Sequence, residues 1–231
     1  TQASEWIAAG HRVVLFAYHP APLPLHNGQS EPQLPDGMLP AGWLCFGDEL
    51  RPDAQSTFDH FRQLGIQIKI ISGDHPETVA ALARQAGFVH SGTAISGPAL
   101  QNMDEEQIQK AVTHSHIFGR ITPQQKEQLV RTLQAQRQYV AMIGDGVNDI
   151  LSLKQAQLGI ALQSGSAATR NVADMVLLND AFAALPHAFR EGQRIVKGMQ
   201  DVIRLFLTRT LYVTLLVIAT AIIGLPFPIT P

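Results

Sequence analysis

An apolar stretch that runs into a glycine-flanked acidic turn, Met142 to Asp149, constrains the fold of this chain more than any other feature. The turn itself contains two glycines, two aspartates and an asparagine. Glycines let the backbone approach a ligand closely, and carboxylate oxygens are the hard ligands that Mg²⁺ prefers. A helix that follows such a turn directs its first backbone N–H groups at anionic charge. The turn therefore predicts a strand end that holds Mg²⁺ beside a phosphate.

Composition limits the class of protein to which this turn can belong. With 231 residues and 45% apolar content, the chain can bury the core of one large or two small domains. A formal net charge of -2 gives no broad basic surface, so we predict no nucleic-acid partner. The single cysteine, Cys45, excludes an internal disulfide framework and a cysteine cluster for soft metals.

An almost wholly apolar segment, Leu205 to Leu225, would span about 31 Å as a helix, which is roughly the thickness of a bilayer core. Basic residues outnumber acidic ones before it and predict a cytoplasmic flank. Because Arg209 interrupts the segment, only Leu211 to Leu225 is free of charge, and a buried core helix is the alternative to a membrane span. The basic residues are Arg190, Arg194, Lys197 and Arg204, against Glu191 and Asp201.

Short apolar runs alternate with amphipathic ones through the middle of the chain. This order predicts an α/β fold, in which a parallel sheet is covered by helices on both faces. We expect helices at Pro76 to Ala86, before Gly87, and after a Thr122 cap with Pro123, while Ser166 caps a shorter helix. The predicted strands are Ile66 to Ile71, Ile117 to Phe118, Tyr139 to Ile143, Leu158 to Ala161 and Met175 to Leu178.

Residues before about Gly42 differ in texture, since six prolines between positions 20 and 40 predict a loop. The strand Arg12 to Tyr18 on the far side of that loop would belong to a separate small lobe. We therefore predict three regions: residues 1–41, residues 42–185 with the sheet, and residues 186–231 with a stalk and membrane helix. The N-terminus is polar, carries no cleavable signal and begins with Thr1, which suggests a piece of a longer protein.

Three further motifs follow predicted strands or begin predicted helices, and open parallel sheets bind ligands at strand ends. Ser72-Gly73-Asp74 offers a hydroxyl and backbone amides for phosphoryl oxygens, although such turns are common. Lys126 could neutralise a transferring phosphoryl group, although by itself it could be a solvated lysine. Asp48 with Arg51 and Pro52 could simply begin a helix with an acidic cap.

Taken in order, these motifs resemble the P-type ATPases, which are cation pumps whose phosphorylation domain has a haloacid-dehalogenase-like fold. The resemblance covers nearly the whole chain. It is carried by Phe46 to Pro52, Ile71 to Asp74, Arg120 to Lys126, Gly144 to Asp149, Leu153 to Ala156, Gly159 to Ala161 and Ala173 to Leu178. Gly224 to Pro228 is similar to the bacterial E branch of that family, some members of which handle calcium.

The resemblance implies a role for each matching residue. It assigns a Mg²⁺ ligand to Asp145, with Asp149 as a second metal-site residue that also orients the site. Asn148 would contact phosphate or nucleotide, and Asp48 and Arg51 would form a hinge between lobes. Phosphoryl or nucleotide contacts are implied for Arg12, Ser72, Gly73, Asp74, Arg120 and Lys126, of which Ser72 and Lys126 join Asp149 as catalytic residues.

Three departures limit what the resemblance implies. Ser72 replaces the usual threonine and keeps the hydroxyl, whereas Glu49 and Leu50 replace a double proline and bring the rigidity of the hinge into question. The family's phosphorylated aspartate, in an Asp-Lys-Thr-Gly sequence, occurs nowhere in this chain. We therefore expect a C-terminal part of a membrane-embedded, multi-pass pump with its phosphorylation domain in the cytoplasm, and this part alone should not turn over.

The function implied for the intact protein is phosphoryl transfer from ATP, with Mg²⁺, to the aspartate outside this chain, coupled to cation transport across a bilayer. A soluble phosphatase of the haloacid dehalogenase superfamily is one alternative, against which the apolar segment counts. A non-catalytic nucleotide-binding module is another, favoured by the missing aspartate. The transported cation and the direction of transport are not readable from these residues.

Overall fold

The computed structural model describes residues 2–22, 36–47, 49–89 and 91–224. The chain divides into two compact units, Thr1–Phe182 and Ala183–Pro231. Asp48, and the chain after Gly224 that carries the similarity to the E branch, lie outside the described residues. The predicted division into three regions remains a prediction.

Helices and strands alternate along the first unit. Its N-terminal part contains α1 (Gln2–Ala8), β1 (Arg12–Tyr18), β2 (Leu39–Phe46), α2 (Ala54–Gln63), β3 (Ile70–Ile71), α3 (Pro76–Gln85), β4 (Ile95–Ser96), α4 (Gly97–Gln101) and α5 (Glu105–His114). The following part contains β5 (Ile117–Gly119), α6 (Pro123–Ala135), β6 (Ala141–Gly144), a 3₁₀ turn (Val147–Asp149), α7 (Ile150–Gln155), β7 (Leu158–Leu162), α8 (Ala167–Val172), β8 (Met175–Leu177) and a second 3₁₀ turn (Leu178–Asp180).

The parallel strands form two three-stranded groups. In the first group β5 lies between β3 and β4, and in the second β7 lies between β6 and β8. The prediction of parallel strands alternating with helices is confirmed, but the described residues form two sheets rather than one continuous sheet. Among the described strands, β3 pairs only with β5, and β6 pairs only with β7. No ladder of hydrogen bonds between these strands therefore joins the two groups.

Two predicted strands are shorter in the structure. Only Ile70 and Ile71 of the run Ile66 to Ile71 pair with β5, because β5 is itself only three residues long. The predicted strand Tyr139 to Ile143 begins instead at Ala141, which is paired with the first residue of β7. Tyr139 precedes the ladder and is 76% exposed, so it belongs to the surface.

The predicted loop before Gly42 contains the start of a strand. β2 begins at Leu39 and pairs antiparallel with β1 along its length, with a register irregularity between Phe16 and Ala17. Pro40 is tolerated because β2 has a single neighbour among the described strands, so the missing N–H interrupts no second ladder. The predicted boundary between residues 41 and 42 therefore falls inside a strand.

Local sequence signals explain where the central helices begin. The Thr122 hydroxyl accepts the Gln125 backbone N–H, and the Gln125 side chain accepts the Thr122 N–H, which together form a capping box at the start of α6. Pro123 occupies the first helical position, where its missing N–H costs nothing. The Ser166 hydroxyl caps α8 by accepting the Thr169 N–H. The predicted caps at Thr122 and Ser166 are therefore both confirmed.

The core of the first unit is centred on β5. Phe118 is fully buried and packs in one cluster with Val112 from α5 and Leu129 from α6. Ile117, on the opposite side of the same strand, packs with Val79 from α3. Because successive strand residues point to opposite faces, helices cover this three-stranded group on both sides, as predicted.

The second unit is dominated by one helix, α9 (Ala184–Ile223), which ends at Gly224 in the left-handed conformation. Among the helices of the described residues, α9 alone is long and apolar enough to cross a membrane, by length and composition only. None of the residues in its most apolar stretch is buried. Its threonine hydroxyls are satisfied within the helix. Thr208, Thr210, Thr214 and Thr220 each donate to the carbonyl oxygen four residues earlier.

Replacing Phe118 with alanine should lower the free energy of unfolding by about 3–5 kcal/mol, because the change leaves a cavity in the middle of the core. Denaturant unfolding of the chain in detergent, followed by intrinsic fluorescence, measures the effect. Tyr139→Ala removes an exposed ring and should change the free energy of unfolding by less than about 0.5 kcal/mol. Equal losses for the two variants would show that the core is not centred on β5.

Candidate functional site

The acidic turn after β6 is held in shape by the carboxylate of Asp149. One oxygen of this carboxylate, Oδ2, accepts the backbone N–H of Asp145 at 3.3 Å and that of Gly146 at 3.2 Å. Gly144 provides the space, since a Cβ added there would lie 2.5 Å from the Cβ of Asp149. The glycine is thus required by close approach, and the turn wraps around its own last side chain.

The other oxygen of Asp149 pairs with Lys126. The Lys126 Nζ lies 2.5 Å from Asp149 Oδ1, and the two side chains are only 12% and 8% exposed. Helix α6 places Lys126 one turn after its Thr122 cap and packs against α7 and the 3₁₀ turn that carries Asp149. The alternative interpretation of Lys126 as a solvated surface lysine is therefore wrong.

Asp145 and Asn148 are exposed at the carboxyl end of β6. No group of three His, Cys, Asp or Glu residues that could hold a metal ion occurs within residues 2–22, 36–47, 49–89 and 91–224. The exposed oxygen ligands of Asp145 and Asn148 suit Mg²⁺, because this ion keeps several waters and takes one or two carboxylates together with phosphate oxygens. Both Asp149 oxygens already accept hydrogen bonds, so its contacts favour orientation of the turn, and its predicted role as a metal ligand stays a prediction.

The Ser72-Gly73-Asp74 motif forms a tight turn after β3. The Ser72 hydroxyl accepts the Asp74 backbone N–H at 3.1 Å. A Cβ added at Gly73 would meet none of the described atoms within 4 Å, so its backbone borders open space. An anion could therefore approach the amides of this turn, which is the property predicted for it.

Arg120 is tied to the same turn. Its backbone N–H donates to the Asp74 carbonyl at 2.7 Å, and the next N–H, from Ile121, donates to the Ser72 carbonyl at 3.0 Å. Arg120 has a φ of 52°, which is uncommon for a residue with a side chain. A Cβ added at Gly97 would overlap the Arg120 carbonyl oxygen, so Gly97 makes room for this unusual backbone.

Arg12 from β1 reaches the same cluster. Its Nε lies 3.7 Å from Asp74 Oδ1, and both side chains are largely exposed. An exposed pair of this kind contributes little to stability, so its importance is placement. The structure thus brings together Arg12, Asp74 and Arg120, three of the residues for which phosphoryl or nucleotide contacts were predicted.

Arg51, one of the two predicted hinge residues, is hydrogen-bonded to the 3₁₀ turn that follows β8. Its Nη1 donates to the Asp180 carbonyl at 2.5 Å, across 129 positions of sequence. The Asp180 carboxylate accepts the backbone N–H of Ser164. Hydrogen bonding with Ser164 lowers the pKa of the Asp180 carboxyl. The side chain of Ser164 makes the largest contribution, and its backbone N–H makes a smaller one.

Apart from Arg51, the predicted site residues that the structure describes fall into two clusters, which α6 connects. One cluster surrounds the Ser72 turn and Arg120, and the other is the Lys126–Asp149 pair with the Asp145 turn. Gln125 was not among the predicted site residues, yet its buried amide donates to the Gly97 carbonyl at 2.8 Å and fixes the start of α6. Its place as the third residue of a capping box was the signal for its local role, but not for this distant contact.

Comparison with known proteins shows the family of this chain. A family model described as haloacid dehalogenase-like hydrolase matches residues 40–157, which covers β3 to β6 and the acidic turn. The chain belongs to the haloacid dehalogenase-like hydrolase family. The predicted fold class is thereby confirmed.

Named relatives narrow the assignment. The chain is 39% identical over 221 residues to the calcium-transporting ATPase CtpE of Mycobacterium bovis, covering 96% of this chain and 27% of the relative. It is 35% identical over 238 residues to the probable cation-transporting ATPase exp7 of Streptococcus pneumoniae, covering 100% and 30%. For the probable cation-transporting ATPase F of Mycobacterium tuberculosis the identity is 33% over 204 residues, covering 86% and 22%.

These relatives confirm the resemblance to the P-type cation-transporting ATPases. The chain spans less than a third of the length of the curated relatives it matches. The activity of a whole pump would therefore require residues outside this chain.

Replacing Asp149 with asparagine should lower the free energy of unfolding by about 3–5 kcal/mol, because it leaves the buried Lys126 ammonium without its counter-ion. Denaturant unfolding of the chain measures the loss. Glu106→Gln is the matched control, because it breaks an exposed ion pair. The Lys110 Nζ and Glu106 Oε1 atoms lie 2.6 Å apart, and the two side chains are 68% and 76% exposed. That change should cost no more than about 0.5 kcal/mol, and a similar loss in both variants would contradict the role of the buried pair.

Proposed function

We propose that the intact protein containing this chain is an ATP-driven cation pump. In it, the γ-phosphoryl group of ATP is transferred to an aspartate that lies in the N-terminal part of the protein, outside this chain, and the acyl phosphate is then hydrolysed. The observation that carries the proposal is the acidic turn, because it offers an exposed carboxylate, Asp145, on a backbone fixed by the buried Lys126–Asp149 pair. The names of the relatives support the same function.

Each cluster has a distinct task in this proposal. Asp145 would hold Mg²⁺, which when bound neutralises charge on the phosphate and lets two anions approach each other. The Lys126 ammonium and the amides near Ser72 would stabilise charge on the phosphoryl oxygens, which is the main protein contribution to phosphoryl transfer. Arg12, Asp74 and Arg120 would contact the nucleotide, and Asn148 the phosphate or nucleotide. Arg51, with Asp48, would form the hinge between lobes.

The membrane part of the proposal depends on α9. This helix would cross the bilayer near its apolar end, with its basic flank on the cytoplasmic side together with the first unit. A soluble phosphatase shares the family and would use the same acidic turn, but its apolar helix would be buried in a core. The exposure of the apolar part of α9 therefore favours the pump over the soluble alternative.

In the full-length protein, Asp145→Asn should lower the rate of cation-stimulated ATP hydrolysis by on the order of 100-fold, because a neutral amide is a poor ligand for Mg²⁺. The measurement is ATPase activity in membranes against a panel of cations that includes Ca²⁺, the ion named for one relative. Glu105→Gln, an exposed carboxylate on α5, should leave activity unchanged. Wild-type activity in Asp145→Asn would refute the proposed role of this carboxylate.

The isolated chain should neither hydrolyse ATP nor become phosphorylated, because it contains no Asp-Lys-Thr-Gly sequence. Incubation with ATP labelled on the γ-phosphate, followed by acid precipitation, measures this. The full-length protein should carry a label that hydroxylamine releases, as expected for an acyl phosphate. Hydroxylamine-sensitive label on the isolated chain would place the acceptor within these residues and contradict the proposal.

A further inference from the structure

The loop Gln163 to Ser166, which follows β7, contacts a different part of the Asp145 backbone from the part that Asp149 contacts. The backbone N–H of Ser166 donates to the Asp145 carbonyl oxygen at 2.8 Å. Asp149 binds the N–H of the same residue. The two polar groups of the Asp145 peptide backbone are therefore held by two different segments of the chain.

Gly165 fits against Asp145 so closely that a side chain there would have to displace the backbone. A Cβ added at Gly165 would lie 2.7 Å from the Asp145 carbonyl oxygen and 2.9 Å from its Cα. Both atoms belong to the backbone, which cannot rotate away as the end of a flexible side chain can. Since Gly165 does not have a positive φ, close approach rather than backbone conformation requires the glycine.

Other residues fix the outer side of this loop. Arg170 from α8 donates from Nη1 to the carbonyl oxygens of both Gln163 and Gly165. The backbone N–H of Ser164 donates to the Asp180 carboxylate at 3.1 Å. The loop is therefore held in place by hydrogen bonds from Arg170 and to Asp180, and it packs closely against Asp145.

From these contacts we infer that Gly165 and Ser166 are positioning residues for the Mg²⁺ site: they set where the Asp145 carboxylate points, although neither would touch the metal. This inference rests on the proposed function, since it assumes that Asp145 binds Mg²⁺. Groups of this kind tune a metal site through its ligands, and their replacement typically costs about 10–100-fold in metal affinity.

The first test is Gly165→Ala in the full-length protein. The Mg²⁺ concentration that gives half-maximal ATPase activity should rise about tenfold or more, because the added methyl displaces the Asp145 backbone. Hydrogen–deuterium exchange without Mg²⁺ should show faster exchange of residues 144–149, a readout independent of activity. Gly42→Ala is the control, since an added Cβ there meets none of the described atoms within 4 Å, and it should change neither measurement.

The second test isolates the hydrogen bond to Asp145 and remains informative if Gly165→Ala does not fold. Ser166 has a φ of -63° and a ψ of 150°, which proline can adopt. Ser166→Pro removes both the N–H and the capping hydroxyl, whereas Ser166→Ala removes only the hydroxyl. The proline variant should therefore raise the Mg²⁺ requirement well beyond the alanine variant.

The outcomes separate this inference from the proposed function. If Asp145→Asn abolishes activity while the Mg²⁺ requirement is the same in Gly165→Ala and the wild type, or in Ser166→Pro and Ser166→Ala, the positioning role is refuted and the pump proposal stands. If Asp145→Asn retains both the activity and the Mg²⁺ dependence of the wild type, the proposed metal site itself fails. A lower melting temperature with an unchanged Mg²⁺ requirement would mean that the loop is merely structural.

Discussion

The buried ion pair between Lys126 and Asp149 is the interaction on which the rest of the site depends. Removing two charges from water is costly, and the cost is offset here because each Asp149 oxygen has a defined partner. One oxygen binds the ammonium and the other binds two amides of the turn. The pair therefore fixes α6 to the acidic turn and gives that turn its shape.

Helix α6 connects the two halves of the first unit. Its capping box follows Ile121, which is bonded to the Ser72 turn of the first sheet, while Lys126 reaches the second sheet one helical turn later. The described strands do not join the two sheets by a ladder. Contacts of α6, including its packing against α7 and the Lys126–Asp149 ion pair, therefore help to set the relative placement of the two residue clusters.

Each cluster in the site lies where a parallel strand ends. The Ser72 turn follows β3, Arg120 follows β5, and the Asp145 turn follows β6. The loop Gln163 to Ser166 continues this arrangement after β7 and contacts the Asp145 backbone. In the proposed site, residues at one strand end are thus supported by backbone contacts from the adjacent strand end, which is how a parallel sheet supplies a rigid site from short loops.

Sequence alone determined the caps at Thr122 and Ser166, the parallel α/β class and the acidic turn, because capping, periodicity and glycine-rich turns depend on neighbours a few residues away. It did not determine that β3 is only two residues long, since that depends on the length of a partner strand. Nor did it show that Arg51 reaches Asp180 or that Gly165 presses on Asp145, because these contacts join distant segments. Only the tertiary structure decided them, by bringing together backbone groups that the sequence does not mark as neighbours.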